Sequence, residues 1–390
     1  MSKLSKWQKI LLFAVTYLLV ACVASLVTFV LVVGGRNGGM AKLQQLNNLI
    51  HSNYIGQLDD TALFDAAAEG MVAGTGDRWS YYVSAEDMDS YNDQKKNAYV
   101  GVGITISQRE DGKGFDILRV EPSGSAAEQG ILPGDIVYKV EDQLVSEIGM
   151  TEAGDRISGE EGTTVTITVL RGEEELEFTL TRKKIQVEVA QGKMLANNVG
   201  YIRIDNFNTN CAQQSIQWVD TLLEQGATAL IFDVRYNGGG YVTELVELLD
   251  HLLPEGKLFI SEDYTGYVSE ETSDADCIDV PMVVLVNDNS YSAAEFFAAA
   301  LSEYEKAKIV GIPTTGKGYF QNTYTLMDGS AVALSVGKYY TPNGVSLAET
   351  GGLIPDVTVE VDDEIAAQIY AQSLAPEEDP QIQAAVELLQ

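Results

Sequence analysis

The spacing of hydrophobic and polar positions changes several times along the chain, and each change predicts a different element. Residues 10–33, "ILLFAVTYLLVACVASLVTFVLVV", contain no charge. A helix of that length, at about 1.5 Å per residue, reaches across a hydrocarbon core of about 30 Å, so the run predicts one transmembrane helix. A signal peptide carries a shorter apolar region, roughly 7–15 residues, and a small-residue cleavage site, so an uncleaved anchor fits better. Lys3, Lys6 and Lys9 precede the run, which predicts a cytoplasmic tail at 1–9 and an exterior location for the remainder. Residues 34–40, "GGRNGGM", read as a flexible linker. From 41 to 97 apolar residues recur at helical spacing, as in "LQQLNNLIHSNYI", and predict a small helical segment. From 98 to 184 short runs such as "YVGVGITIS" and "TTVTITVLRG", separated by glycine, predict a β-rich module. From 185 to 360 strands such as "ALIFDVR" and "MVVLVN" alternate with helical patterns such as "YVTELVELLDHLL". That alternation predicts a mostly parallel sheet covered by helices. Residues 361–390 follow as an acidic, helical tail.

Charge narrows the possible partners. The net charge is −32, and residues 1–40 carry four basic and no acidic side chains; setting those four aside leaves −36 for the other 350 residues. Such a surface repels nucleic acid and anionic lipid. Cys211 and Cys277 lie beyond the apolar run, too few for a disulfide framework, though one bridge between them is open. Neither a histidine cluster nor a C-x-x-C pair suggests a transition-metal site, so no metal or cofactor is expected.

Chemistry concentrates in three loops at strand ends: "DVRYNGGGY" at 233–241, "NDNSYSAAE" at 287–295 and "TTGKGYFQ" at 314–321. Gly311 to Lys317 matches the beginning of a phosphate-binding loop, but Gly318 stands where Mg²⁺ coordination requires Ser or Thr, and the next residues have strand character. Lys317 therefore needs another role. Serine hydrolysis needs a nucleophile, a base and amide donors for the oxyanion. Both histidines, His51 and His251, lie in helical patterns away from the glycine-rich loops, which leaves lysine as the base. A lysine amine becomes basic near neutrality when it is desolvated, and Lys317 is the one charge in the run from Ile309 to Met327. Ser290 and Ser292 both suit a nucleophile. "SAAE" at 292–295 also reads as a capping box, and the Ala293 amide would then face an oxyanion at the helix start. Glycines 238–240 expose backbone amides to a substrate carbonyl, and Gln321, four residues after Lys317, shares its face on an ideal strand.

Taken together, these segments resemble the carboxyl-terminal processing proteases, serine peptidases with a Ser–Lys pair and an inserted PDZ domain. "DRWSYYVSAEDM" is similar to that family's D-P-x-S-x-Y/F segment, "IFDVRYNGGG" to L-D-L-R-N-N-P-G-G, "LVNDNSYSAAEFFAAAL" to L-V-N-x-x-S-A-S-A-S-E-I-x-A-x-A-L, and "GKGYFQ" to G-K-G-x-V-Q. "YVGVGITI" with "VEPSGSAAEQGILPGDIVYKVEDQLV" resembles the PDZ domain. The resemblance implies a ClpP/crotonase-like α/β protease core. It places the nucleophile on Ser292, the base on Lys317, the supporting glutamine on Gln321 and the oxyanion donors on Gly239 and Ala293. It further implies capture of free, apolar protein carboxyl termini by the loop of Gly101, Val102, Gly103 and Ile104, with self-association possible. The chain departs from the pattern at Arg78 and Trp79 for Pro-Tyr, Tyr236 for asparagine, Gly238 for proline and Tyr291 for alanine. A catalytically silent peptide-binding scaffold is the alternative reading, and an acyl-CoA enzyme on a similar framework is a more distant one.

Overall fold

The computed structural model describes residues 6, 7, 13, 15–25, 38–109 and 111–390. Most of the expected tail, anchor and linker lies outside these residues, and 15–25 are helical. No helix among the described residues is long and apolar enough to cross a membrane. Contacts divide the chain into two units, 1–70 and 71–390. In the first, the helix Gly38–Asn53 has no buried residue, and Leu46 and Leu49 are exposed. His51 Nε2 lies 2.7 Å from Asp60 Oδ1.

The second unit contains the predicted alternation of strands and helices. Its central sheet runs in the order Ala190–Met194, Val199–Ile204, Ala229–Asp233, Met282–Val286, Ala307–Gly311 and Val357–Thr358, antiparallel at the first pair and parallel thereafter. Ala229–Asp233 and Met282–Val286 are buried at every position, which is why both read as continuous apolar runs without alternation. The helices Cys211–Glu224, Val242–Leu252 and Ala293–Glu303 pack on one face through Leu222, Leu248, Leu249 and Phe297. The opposite face, with Tyr201, Ile231, Val283 and Leu285, is covered by Ile382 and Ala385 of the helix Pro380–Leu388. The carboxyl-terminal segment is thus a layer of the core.

A second, antiparallel sheet joins Tyr81–Val83, Ala331–Tyr340, Gly256–Asp263 and Val268–Ser273, with Tyr319–Thr325 also paired to Ala331–Tyr340. Tyr81–Val83 falls in the segment expected to be helical; the Ser80 hydroxyl donates to Asp77 Oδ2 at 2.6 Å and accepts from Ser335 N at 3.0 Å, which pins this stretch to the sheet. The β-rich module forms a third sheet, in the order Ile104–Gln108, Phe115–Val120, Ile136–Val140, Thr164–Arg171 and Glu174–Thr181. Ala98–Gly101 pairs with Lys183–Gln186, so the module enters and leaves the chain at one point, as an insertion must. All three cysteines are free.

Candidate active site

The strand Met282–Val286 ends in a tight loop that places Ser292 at the start of the helix Ala293–Glu303. Ser292 has φ +58° and ψ −128°, a strained conformation for a residue with a side chain. Neighbouring groups hold it there: Tyr291 N donates to Asn237 O at 3.1 Å, and Ser292 N donates to Glu295 Oε2 at 3.0 Å. Gly239 packs so closely that a Cβ on it would lie 2.7 Å from Ser292 Cβ and 2.8 Å from Ala293 N. Ser292 is 8% exposed. Ser290 is fully buried and committed to its loop: its hydroxyl donates to Val234 O at 2.7 Å and accepts from Asn287 N at 3.0 Å.

Lys317 lies in the irregular segment 313–318, half-buried. Burial pulls its amine down to about 8; the positive charges of Lys95 and Arg78 act the same way, and Asp77 and Glu295 act against it. Its Nζ lies 4.8 Å from the Trp79 ring centre and 5.8 Å from that of Tyr291. Among the described residues Nζ makes no hydrogen bond, to Ser292 or to any other group.

Glu295 connects the serine and lysine loops. Its carboxylate is fully buried and accepts from Ser292 N, Lys317 N, Gly316 N and Thr314 Oγ1, at 3.0, 2.8, 2.7 and 2.5 Å. Burial raises its pKa, and these four hydrogen bonds oppose the rise. The S-x-x-E pattern marked Glu295 only as half of a cap; its bonds to the lysine loop join residues about twenty apart and left no local sequence signal.

Two expected contacts are not made in this arrangement. The Gly239 N–H, read as an oxyanion donor, is directed to Asn237 Oδ1 at 2.8 Å. Buried Asn237, whose Nδ2 donates to Ile204 O at 2.8 Å, therefore controls the glycine loop, a role the sequence did not disclose. Gln321 does not reach Lys317: its Nε2 donates to Ser335 Oγ at 3.0 Å and Tyr319 O at 3.2 Å. The shared-face expectation fails because the strand begins only at Tyr319 and its register shifts between Phe320 and Gln321. Ala293 remains in the first turn of the serine helix, where the positive end of the dipole favours an oxyanion. His251 faces Asp220, Nε2 to Oδ1 3.3 Å.

In the β-rich module, Ile104–Gln108 is an edge strand, paired on one side only. Buried Val102 accepts from Ala126 N at 2.9 Å, and Gly103, at φ +88°, approaches Gly124 so closely that a Cβ would lie 2.7 Å from Gly124 Cα. A glycine loop opening onto a free strand edge has the geometry for adding a peptide strand.

Comparison with known proteins agrees with this architecture. The model of peptidase family S41 matches residues 198–359, a PDZ domain matches 100–181, and the N-terminal domain of the activating protease CtpB matches 31–87. The chain is 30% identical over 370 residues to a probable CtpA-like serine protease of Staphylococcus aureus, covering 92% of this chain and 73% of the relative. It is 33% identical over 334 residues to the carboxy-terminal processing protease CtpA of Bacillus subtilis, covering 83% and 70%. A solved putative S41 protease from Bacteroides fragilis shares the fold, with TM-score 0.55 and 15% identity over 86% of this chain and 90% of that one. The chain belongs to peptidase family S41, the carboxyl-terminal processing serine peptidases, and carries a PDZ domain.

Proposed function

We propose that Ser292 and Lys317 are the catalytic pair of an endopeptidase whose PDZ domain, residues 98–184, docks protein carboxyl termini and whose core, residues 185–360, cleaves them. The observation that carries this reading is the half-buried Lys317, on a loop tied through Glu295 to the strained Ser292; burial draws its amine down to about 8. In this mechanism neutral Lys317 takes the proton of the Ser292 hydroxyl as the oxygen attacks the peptide carbonyl. The Ala293 N–H and a loop glycine hold the oxyanion. The proton passes to the departing amine, and water then releases the acyl group. For the attack the Lys317 amine must close to hydrogen-bond distance of the Ser292 hydroxyl, and Gly239 N–H must turn from Asn237 Oδ1. Gln321 supports the lysine only after its bonds to Ser335 and Tyr319 rearrange.

The uncharged run 10–33 supports a single-pass anchor with the peptidase outside the cytoplasm. External protease added to intact cells then removes residues 38–390; protection of this portion argues against that topology. Exposed Leu46 and Leu49 support self-association of the N-terminal unit, read by sedimentation. The decisive experiment is cleavage of an unfolded protein with an apolar carboxyl terminus. Ser292→Ala and Lys317→Ala abolish it and Ser290→Ala retains it; activity in either of the first two overturns the assignment.

A further inference from the structure

Of the five departures from the family's pattern, Trp79 and Tyr291 lie against Lys317, Arg78 lies over Trp79, and Gly238 lies against Tyr291. The Trp79 and Tyr291 rings lie 5.5 Å apart, and Lys317 Nζ approaches both, at 4.8 and 5.8 Å from their centres. The Arg78 guanidinium carbon lies 4.2 Å from the Trp79 ring centre. A Cβ on Gly238 would lie 2.6 Å from the Tyr291 hydroxyl oxygen, so the Tyr291 ring lies against the bare backbone of Gly238. Tyr236 turns elsewhere, donating to Ala366 O at 3.1 Å and packing its ring 5.2 Å from that of Tyr370.

An aromatic face attracts an ammonium far more than a neutral amine, and tryptophan presents the strongest face. A general base acts only when neutral. We propose that Trp79 and Tyr291 are positioning residues for Lys317: their ring faces seat its ammonium and so raise the pH above which the amine serves as base. This rests on the reading of Lys317 as the base. Alanine at 291 offers no such face.

The other charges facing the amine are Lys95 and Arg78, which disfavour the ammonium, and Asp77 and Glu295, which favour it. Lys95 itself lies 5.8 Å from the Tyr91 ring centre and 6.0 Å from that of Tyr241. Burial is the largest influence and lowers the pKa; a ring face acts in the opposite sense, because it favours the ammonium.

The test is kcat/KM against pH for the full chain and a peptide with a free apolar carboxyl terminus. Trp79→Leu and Tyr291→Leu keep apolar bulk and remove the ring face. Each shifts the acidic limb downward by about half to one pH unit, whereas Trp79→Phe and Tyr291→Phe, which keep a ring face, leave the limb near its wild-type position. Tyr291→Leu carries the test alone if Trp79→Leu fails to fold. A folded leucine variant with lower activity and an unmoved limb overturns the proposal, since a purely structural role predicts that result. Lys317→Ala separates the two levels. If it is inactive while the limbs stay fixed, only the aromatic platform is rejected; if it is active, the base assignment itself fails.

Discussion

At the scale of single residues, Lys317 carries the clearest energetic consequence. Its pKa in the folded chain, about 8, lies below the ordinary 10.5, so the native state sheds this proton more readily than the unfolded chain. Stability is therefore reduced below pH 8, and the reduction fades as pH rises toward the unfolded value. At about 1.36 kcal/mol per unit, Lys317→Met should gain on the order of 2–3 kcal/mol at pH 7, vanishing above about pH 10. Urea titrations at the two pH values measure this, and an unstabilised mutant at pH 7 contradicts the pKa. The same protonation governs rate: kcat/KM should rise with pH through about 8, where the neutral fraction of the amine grows. A midpoint near 10 would mean an ordinary solvated lysine. Lys317 was readable from sequence because a single charge interrupts an apolar run. Its aromatic neighbours were not, because Trp79 lies more than two hundred positions away.

At the scale of elements, Glu295 fastens the first turn of the serine helix to the lysine loop. Each carboxylate oxygen accepts two hydrogen bonds, Oε2 from Ser292 N and Lys317 N, Oε1 from Gly316 N and Thr314 Oγ1. In Glu295→Gln an NH₂ group replaces one oxygen; the Thr314 hydroxyl can turn to accept from it, but at least one backbone N–H, that of Gly316 or those of Ser292 and Lys317, loses its acceptor. Destabilisation by about 3 kcal/mol and loss of most activity are expected, read by urea unfolding and peptide cleavage. Wild-type stability in this mutant would mean that the two loops are held by other contacts. The edge strand Ile104–Gln108 supports a second prediction: a peptide with a free carboxylate should bind about tenfold or more tighter than its amide, because a charged acceptor on backbone amides is worth about 1.5–3 kcal/mol. Equal affinities by calorimetry would place docking elsewhere. The strand itself was legible from its alternation and glycines. The misplaced contact of Gln321 was not, because a register shift between Phe320 and Gln321 cancels the two-residue period.

At the scale of the whole molecule, the carboxyl-terminal segment completes the peptidase core. Buried Arg235 lies between Asp233 and Asp379, with Nη2–Oδ2 at 2.5 Å and Nη1–Oδ2 at 2.9 Å. Asp379 also caps the last helix, accepting from Gln381 N at 2.9 Å. Asp379→Ala removes one partner of a buried charge and the cap of the helix that covers Tyr201 and Val283. A loss of about 3–5 kcal/mol is expected, with Ser292 still in place, and thermal unfolding of the mutant measures it. An effect below about 1 kcal/mol would show that this helix is dispensable.

By itself the sequence determined what local patterning can encode: the alternation of strands and helices, the glycine-punctuated module and three chemically unusual strand-end loops. Period and composition are properties of neighbours along the chain. Only the tertiary structure decided that Glu295 reaches the lysine loop, that Asn237 occupies the Gly239 amide, that Tyr81–Val83 is a strand and that residues 380–388 form a core layer. Each of these depends on side chains or strands that meet across long separations, where no repeating pattern along the chain records the contact.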